Sequence, residues 1–404
     1  MRPKVLQVAY ACDPEGHGEH WLGWAWAEQA AKFCDVCLIT RPWAPENVRR
    51  HAERLGIQVQ IVPEVPWVQR LSDNPESVIW LAQYTWQQRI RSIAAQWHAR
   101  ERFDLVHQTT FHTFRVPFTT AEIGVPAVWG PIAGGEMIPL GFERFLGPAR
   151  ASEQRRSWLN RLNLWAPWVR RALRLSSALL VSNHTTLDFL PPWCRAKARV
   201  VPANAFRGDL PQIVERPAST SREVRLVYAG NCIGRRSIPL VVHAMRAASD
   251  VPCHLTVAGE GDALDDWKRE VAELGMTDRV TFAGSVSRAG LADLYANASA
   301  LVFPGLRDSG GSSLLEAMSI GLPVICLDCG GPAEMVDASS GFKIPVADVD
   351  ETLRAMGEAF RRIHTDPEHA RKIGLAGAKR CRELFLWEHK RAILEDVYRE
   401  ALRS

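Results

Sequence analysis

The sequence predicts an α/β protein built from two parallel-sheet domains, and three observations carry that prediction. Short apolar runs of strand length alternate with helical stretches along most of the 404 residues, as parallel strands and their crossover helices do. That pattern starts twice. An apolar run, a glycine-containing loop and a helix follow one another from Lys4 to Phe33 and again from Val224 to Ala247, the opening of a Rossmann-like unit. Between the two, residues 206–222 carry Pro211, Pro217 and a Ser-Thr-Ser run without periodicity, which marks a linker. A chain of this length can bury two cores. The expected division is 1–205, a linker at 206–222, 223–385, and a closing helix within 386–404.

Composition narrows the function classes. A hydrophobic content of 47% with 23% charged residues is that of an ordinary globular protein. The net charge of +4 is small for this length and no basic–aromatic RNA signature accompanies it, so nucleic acid is not an expected partner. No apolar stretch approaches bilayer length, and MRPKVLQVAY runs straight into a strand; neither a spanning helix nor a signal peptide is expected. Nine cysteines without regular spacing fit a reducing, cytoplasmic setting. The pairs Cys34/Cys37 and Cys326/Cys329 overlap strand-like runs and lack a His at metal-site spacing, so buried structural thiols are expected and no metal site.

In the first domain, strands are expected at Lys4–Tyr10, Val36–Thr40, Gln58–Val62, Asp104–His107, Ala127–Trp129 and Ala178–Ser182, with helices at Trp21–Phe33 and Val78–Arg100. The loop Cys12–Glu19 holds Gly16 and Gly18 but lacks the three-glycine dinucleotide fingerprint. A second glycine-rich loop, Gly-Pro-Ile-Ala-Gly-Gly-Glu at 130–136, follows the fifth strand. From Ala149 to Leu175, seven arginines interleave with Trp158, Trp165, Trp168 and leucines, and Pro167 divides two short helices. Arg and Trp on amphipathic helices suit an anionic membrane surface. The alternative is a Trp face packed inward beneath solvated arginines.

In the second domain, Val224–Ala229 leads into the loop 230–236, which ends in Arg235 and Arg236. Guanidinium groups make directional, charge-assisted contacts to phosphate, so Arg236 is the main phosphate-ligand candidate. Strands are expected at His254–Ala258 and Val280–Gly284, a short helix at Leu291–Ala296, and a buried strand at Ala300–Phe303 that stops at Pro304. The decisive stretch follows: Asp308, Gly310, Gly311, Ser312, Ser313, the helical run Leu314–Met318 with Glu316, then Gly321-Leu322-Pro323 and the strand Val324–Leu327. Glycine permits the turn, Ser312 or Ser313 can cap the helix, and the positive helix end makes an anion site. Carboxylates repel phosphate, so Asp308 and Glu316 are better placed to accept hydrogen bonds from sugar hydroxyls. A sugar nucleotide is the ligand this combination suggests. Asp348-Val349-Asp350 precedes a helix at Glu351–His364 and is expected to cap it rather than to bind metal.

The stretch 308–325 resembles the signature of retaining glycosyltransferases of family four: Glu, seven residues, Glu, Ala-Met, then Gly-x-Pro-Val-Ile. The 130–136 loop further resembles a subgroup carrying Gly-Pro-Ile-Ala-Gly-Gly. The resemblance covers nearly the whole chain and is strongest from Leu226 to Val346. It implies the GT-B arrangement, two Rossmann-like domains facing a cleft, with a final helix that packs back toward the N-terminal domain. It implies that Asp308, standing where the family has Glu, holds the transferred sugar, and that Glu316 holds the nucleotide ribose. Asn231 and Arg236 occupy the places of the family's Arg and Lys on the donor pyrophosphate, with Arg235 able to supply the missing cation. Gly259 and Gly284 end strands whose loops would hold the base. Gly16 and Gly18 would face the distal phosphate, and Glu19, His107, His112, Gly134, Gly135 and Glu136 are acceptor-side candidates, although for both histidines a satisfied structural role is the favoured expectation.

The resulting expectation is a retaining hexosyltransferase that moves a hexose from a nucleotide-diphosphate sugar to a glycan or lipid-linked sugar in polysaccharide biosynthesis. Arg236 and the helix end at Gly311–Ser312 would stabilise the leaving pyrophosphate without a metal or other cofactor. The expected location is cytoplasmic, peripheral at the inner membrane face. A sugar-nucleotide epimerase and a catalytically silent carbohydrate- or membrane-binding protein are the alternatives.

Overall fold

A computed structural model of the chain describes residues 2–67, 75–208, 211–213 and 223–403. Residues 209–210 and 214–222 of the expected linker lie outside the described residues. The chain divides into two compact units: residues 1–135, 158–203 and 387–404 form the first, and residues 136–157 and 204–386 form the second.

Unit 1 contains a seven-stranded parallel sheet of order β3-β2-β1-β4-β5-β6-β7. Its strands are β1 (Lys4–Ala9), β2 (Asp35–Thr40), β3 (Gln58–Ile61), β4 (Leu105–Thr110), β5 (Ala127–Ile132), β6 (Ala178–Val181) and β7 (Ala198–Val200). Helices α1 (Glu19–Ala31), α2 (Pro45–Leu55) and α3 (Pro75–Glu101) cross between them. Each strand expected from the sequence in this unit is present. The central strands β4 and β5 are buried along their whole length; β5 reads as a continuous apolar run, whereas β4 carries His107 and Gln108 into the core, where each is hydrogen-bonded.

The Arg/Trp stretch forms α4 (Arg150–Asn163) and α5 (Pro167–Leu175), with Pro167 in the first turn of α5, where its missing N–H costs nothing. Helix α5 buries Val169, Ala172 and Leu173, the i, i+3, i+4 stripe of an amphipathic helix. Its one tryptophan, Trp168, meets Tyr84 edge-on and stays 42% exposed, while Trp165 just before the helix is 73% exposed and Trp158 and Trp193 on neighbouring segments 61% and 44%.

Unit 2 contains a six-stranded parallel sheet of order β10-β9-β8-β11-β12-β13. The strands are β8 (Val224–Ala229), β9 (Cys253–Ala258), β10 (Val280–Gly284), β11 (Ala300–Phe303), β12 (Val324–Leu327) and β13 (Phe342–Ile344). In both sheets the strand order relative to the first strand is 3-2-1-4-5-6, the doubly wound order that leaves a crevice at the carboxyl ends where the order reverses. Helices α6 (Ile238–Ala247), α7 (Leu264–Glu273), α8 (Arg288–Asn297), α9 (Ser312–Ser319), α10 (Gly330–Met335), α11 (Val349–Thr365) and α12 (Pro367–Leu384) complete the unit. The two Rossmann-like units establish the expected fold class.

Two segments depart from a simple split of the chain. Residues 136–157 lie in unit 2, not with the preceding strands, because Phe142, Phe145 and Leu146 join the core formed by Tyr228, Ile238, Val241 and Met245. Helix α13 (Trp387–Ala401) lies in unit 1. There Tyr398 is fully buried and its hydroxyl meets Gln7 Nε2 at 3.2 Å and His107 Nδ1 at 2.7 Å. Asp348 is the N-cap of α11 and accepts from the Glu351 N–H, the capping role expected of it. The cysteines of both C-x-x-C pairs are free thiols, all buried except Cys329, which is partly buried. Among the described helices none is long and apolar enough to cross a membrane.

Candidate functional site

Unit 2 gathers its polar residues at the carboxyl ends of β8 and β11. The loop after β8 starts at Gly230, whose φ is 149° and where a Cβ would stand 2.5 Å from Arg236 Nη1. Only glycine leaves that space. Gly259 lets the loop after β9 press against it, since a Cβ there would meet the Gly230 carbonyl at 1.9 Å. A brief 3₁₀ turn, Gly234–Arg236, aims Arg236 back across the loop. Its Nε donates to Asp308 Oδ2 at 3.1 Å, and Arg235 Nη2 lies 3.7 Å from Asp308 Oδ1. Burial opposes the Arg236 charge, but Asp308 and the Tyr228 phenol hold it, and its pKa lies above the ordinary arginine value. Burial lowers that of Arg235, with Asp308 acting against it. Two guanidinium groups thus share one carboxylate that is only 8% exposed.

Asp308 sits three residues ahead of Gly311, the N-cap of α9. The expected serine cap is not formed. Gly311 itself takes the N-cap position with no side chain to offer, and Ser312 is the first helical residue. The Ser312 hydroxyl instead meets Asn204 Nδ2 at 3.4 Å. Gly310 packs closely against the same Asn204 amide, where a Cβ would stand 2.6 Å from its nitrogen. The first-turn N–H groups of α9 therefore lack a capping side chain from the N-cap, which favours an anion at this end.

Glu316 lies one turn into α9. It keeps an exposed edge, while its Oε2 meets the Tyr295 hydroxyl at 3.3 Å. Desolvation raises its pKa, with the Tyr295 hydrogen bond and the Arg288 charge pulling the other way. Glu136, expected on the acceptor side, belongs to unit 2 and is 4% exposed. A Cβ on Gly330 would lie 3.6 Å from its Cγ, which sets it beside the Asp308–Gly331 turn. Asn231 offers its carbonyl to Tyr228 (2.7 Å). Gly284 turns with φ 66° at the end of β10, and the Ser285 N–H faces Glu260 at 3.4 Å.

In unit 1 the candidates separate into two kinds. His107 is fully buried between Tyr398 and the Gly130 carbonyl, at 2.7 and 2.8 Å. Burial pushes its pKa down to about 4, the Gly130 hydrogen bond opposing, so it is a neutral structural residue. Gly134 and Gly135 serve packing: a Cβ on the first would meet the Phe114 ring at 3.1 Å, and one on the second the Thr186 backbone at 2.6 Å. Gly18 is the N-cap of α1, with φ 55°, and Gly16 packs on Asp13. By contrast, Glu19 and His112 come together, with Nδ1 to Oε2 at 2.7 Å. Sequence reading missed Asn204, Tyr295 and the Glu153–Arg307 pair at 2.6 Å, residues that no local motif connects to the site.

The two-unit fold is that of GT-B glycosyltransferases: it matches sucrose-phosphate synthase from Thermosynechococcus elongatus with a TM-score of 0.65 at 20% identity over 99% of both chains. Anabaena HepE in complex with UDP and glucose matches with a TM-score of 0.62 at 14% identity, over 98% of this chain and 99% of that one. Within the chain, residues 211–380 match the family model described as glycosyl transferases group 1. The MMP alpha-(1->4)-mannosyltransferase of Mycolicibacterium hassiacum is 25% identical over 75% of this chain and 72% of its own length. The D-inositol 3-phosphate glycosyltransferase of Streptomyces griseus is 31% identical over 56% of this chain and 49% of its own. That of Streptomyces bingchenggensis is 35% identical over 33% of this chain and only 28% of its own length.

Proposed function

We propose that the protein is a retaining glycosyltransferase that moves a hexose from a nucleotide-diphosphate sugar to a glycan or lipid-linked sugar. The observation that carries this reading is Arg236, held by Asp308 three residues before the uncapped N-terminus of α9. A guanidinium and a helix end converge where a pyrophosphate leaving group would gather charge. Glu316, one turn further on, would accept the ribose hydroxyls. Asp308 would exchange part of its pairing with Arg236 for sugar hydroxyls once phosphate arrives. Charge compensation by Arg236 and α9 makes the reaction metal-independent, so turnover is expected to survive EDTA.

Calorimetry of UDP, GDP and ADP, followed by transfer assays on lipid-linked and free glycan acceptors, tests the reading. Binding of one nucleotide and product with the donor's anomeric configuration by NMR support it. Product with the inverted configuration, or no nucleotide binding, overturns it.

The acceptor would be carried on a lipid, with unit 1 held at an anionic bilayer. Support comes from the exposed Trp165, Trp168 and Trp193 with Arg170 and Arg174 stacked among them: Arg170 lies 5.3 Å from the Trp165 ring centroid and Arg174 5.6 Å from that of Trp193. Each Arg near such a surface contributes about 1 kcal/mol. Wild-type protein is expected to sediment with anionic liposomes at low salt, and Arg170→Glu with Arg174→Glu to release it. Protein left in the supernatant at low salt would remove the membrane from this reading.

A further inference from the structure

Residues 136–157 belong to unit 2, and there they back the loops that carry the candidate site. The Phe145 carbonyl accepts from the Ser237 hydroxyl at 3.1 Å. A Cβ on Gly234 would stand 2.6 Å from both the Leu146 carbonyl oxygen and Ala149 Cβ, so the turn that presents Arg236 lies directly against this segment. Glu153 follows in the first turn of α4, where a negative side chain suits the helix dipole. Both its carboxylate oxygens accept from Arg307, Oε2 from Nε at 2.7 Å and Oε1 from Nη2 at 2.6 Å. The pair is largely withdrawn from water, with 11% of the Glu153 side chain and 16% of the Arg307 side chain exposed.

Arg307 immediately precedes Asp308, and the backbone around it is tied on two sides. The Arg307 carbonyl accepts from Arg235 Nε at 3.1 Å, and the Leu306 N–H donates to the Arg235 carbonyl at 2.9 Å. The Asp308 carbonyl in turn accepts from the Gly331 N–H at 2.7 Å, at the start of α10. Arg235, Arg236 and Arg307 bring three guanidinium groups to this loop. Asp308 answers the first two and Glu153 the third. A buried guanidinium without its partner is costly, and an unanswered Arg307 would compete with Arg235 and Arg236 for Asp308. We propose that Glu153 is a positioning residue for glycosyl transfer: its forked ion pair anchors Arg307 and so fixes the loop on which Asp308 meets the donor sugar. This rests on the glycosyl-transfer reading and adds to it a residue 154 positions away from its partner in the chain. Two parallel hydrogen bonds set direction as well as distance, which is what holding a neighbouring carboxylate in register requires.

The test compares the intact wild type with two variants. Glu153→Gln keeps the side chain's shape and removes its charge. Glu153→Gln with Arg307→Gln removes both charges, which guards against a folding failure caused by an unpaired guanidinium. Hydrogen exchange of the unliganded proteins is read at Leu306 and Gly331, whose N–H groups report the two ties of the loop. In Glu153→Gln both are expected to exchange about tenfold faster while β11 and β12 keep their protection. Calorimetry then sets UDP, GDP and ADP beside UDP-glucose, GDP-mannose and ADP-glucose. For the base that binds, Glu153→Gln is expected to weaken the nucleotide sugar about tenfold, the scale of one charge-assisted hydrogen bond, and the diphosphate less than about twofold. The double variant is expected to lose no more than the single one, as partners in one pair do. A role confined to holding the fold would weaken both ligands together or neither. Unchanged exchange at Leu306 and Gly331, equal losses for sugar nucleotide and diphosphate, or additive losses in the double variant overturn the proposal. Failure of every nucleotide and nucleotide sugar to bind the wild type strikes the glycosyl-transfer reading instead, and the exchange measurement still decides whether Glu153 fixes the loop.

Discussion

The two units share one strand order and oppose each other in charge at the same topological place. In unit 1 the loop after the first strand carries Asp13 and Glu15 and leads into α1 at Glu19; in unit 2 the equivalent loop carries Arg235 and Arg236. Both loops lead toward helix N-termini, whose dipoles favour anions equally. The side chains therefore decide what each crevice accepts. Unit 2 adds cations to the dipole, whereas unit 1 sets carboxylates against it. One scaffold, doubled, carries opposite charge at the same topological place through a handful of residues.

Removing the cation that defines unit 2 breaks this contrast most severely. Arg236→Ala is expected to lower kcat by about 10²–10³-fold, the scale of losing a directed charge at a developing anion. Nucleoside affinity is expected to change much less, since the guanidinium acts on phosphate. Steady-state kinetics beside calorimetry of nucleoside and nucleoside diphosphate measure both. Equal losses for nucleoside and diphosphate would show that Arg236 shapes the loop rather than contacting phosphate.

Acid separates the units by stability. His107, whose pKa is pushed down to about 4 by burial, sits in unit 1. An unfolded histidine titrates near 6.5. Between those values the unfolded chain binds the extra proton, so stability is lost as pH falls from about 6.5 toward 4. The loss is on the order of 2–3 kcal/mol. Lys390 of the same unit, pushed down to about 7 by burial, has already lost stability on passing from its unfolded value to pH 7. Hydrogen exchange at pH 7 and pH 5 is expected to show β1, β4 and β5 losing protection before β8 and β11. Uniform loss across both sheets would mean that His107 protonation is accommodated locally.

Much of the fold was legible because parallel strands covered on both faces are mostly near-continuous apolar runs. Ala300–Phe303 and Val324–Leu327 read as strands from sequence and are strands at those bounds. What could not be read is which core a segment joins. Phe142, Phe145 and Leu146 are apolar enough for either, and only tertiary packing assigns them to unit 2. The same limit applies within the site. Arg236 and Asp308 were each identifiable, yet their pairing spans 72 residues and no local pattern encodes it. The cap at α9 was misread for a local reason: Gly311 precedes two serines, and the helix begins one residue earlier than a serine cap requires.

The smallest expected effect concerns the residue that would read the ribose. Glu316→Gln replaces an acceptor-only carboxylate by a group that donates from one side. One of two ribose hydroxyls would then face a donor, and the expected loss in nucleoside diphosphate affinity is about 1–3 kcal/mol. Protonation is a milder form of the same change. Because desolvation raises the Glu316 pKa, the neutral form gains weight on acidification above the usual glutamate range. Affinity is therefore expected to fall as pH drops through that raised value, and to be retained above it. The Gln variant, lacking the titrating group, is expected to bind weakly at both ends of the range with a flat profile. Calorimetric titrations of wild type and variant from pH 7.5 to pH 5 measure this. Parallel slopes for the two proteins would place the titrating group elsewhere and remove Glu316 from the ribose.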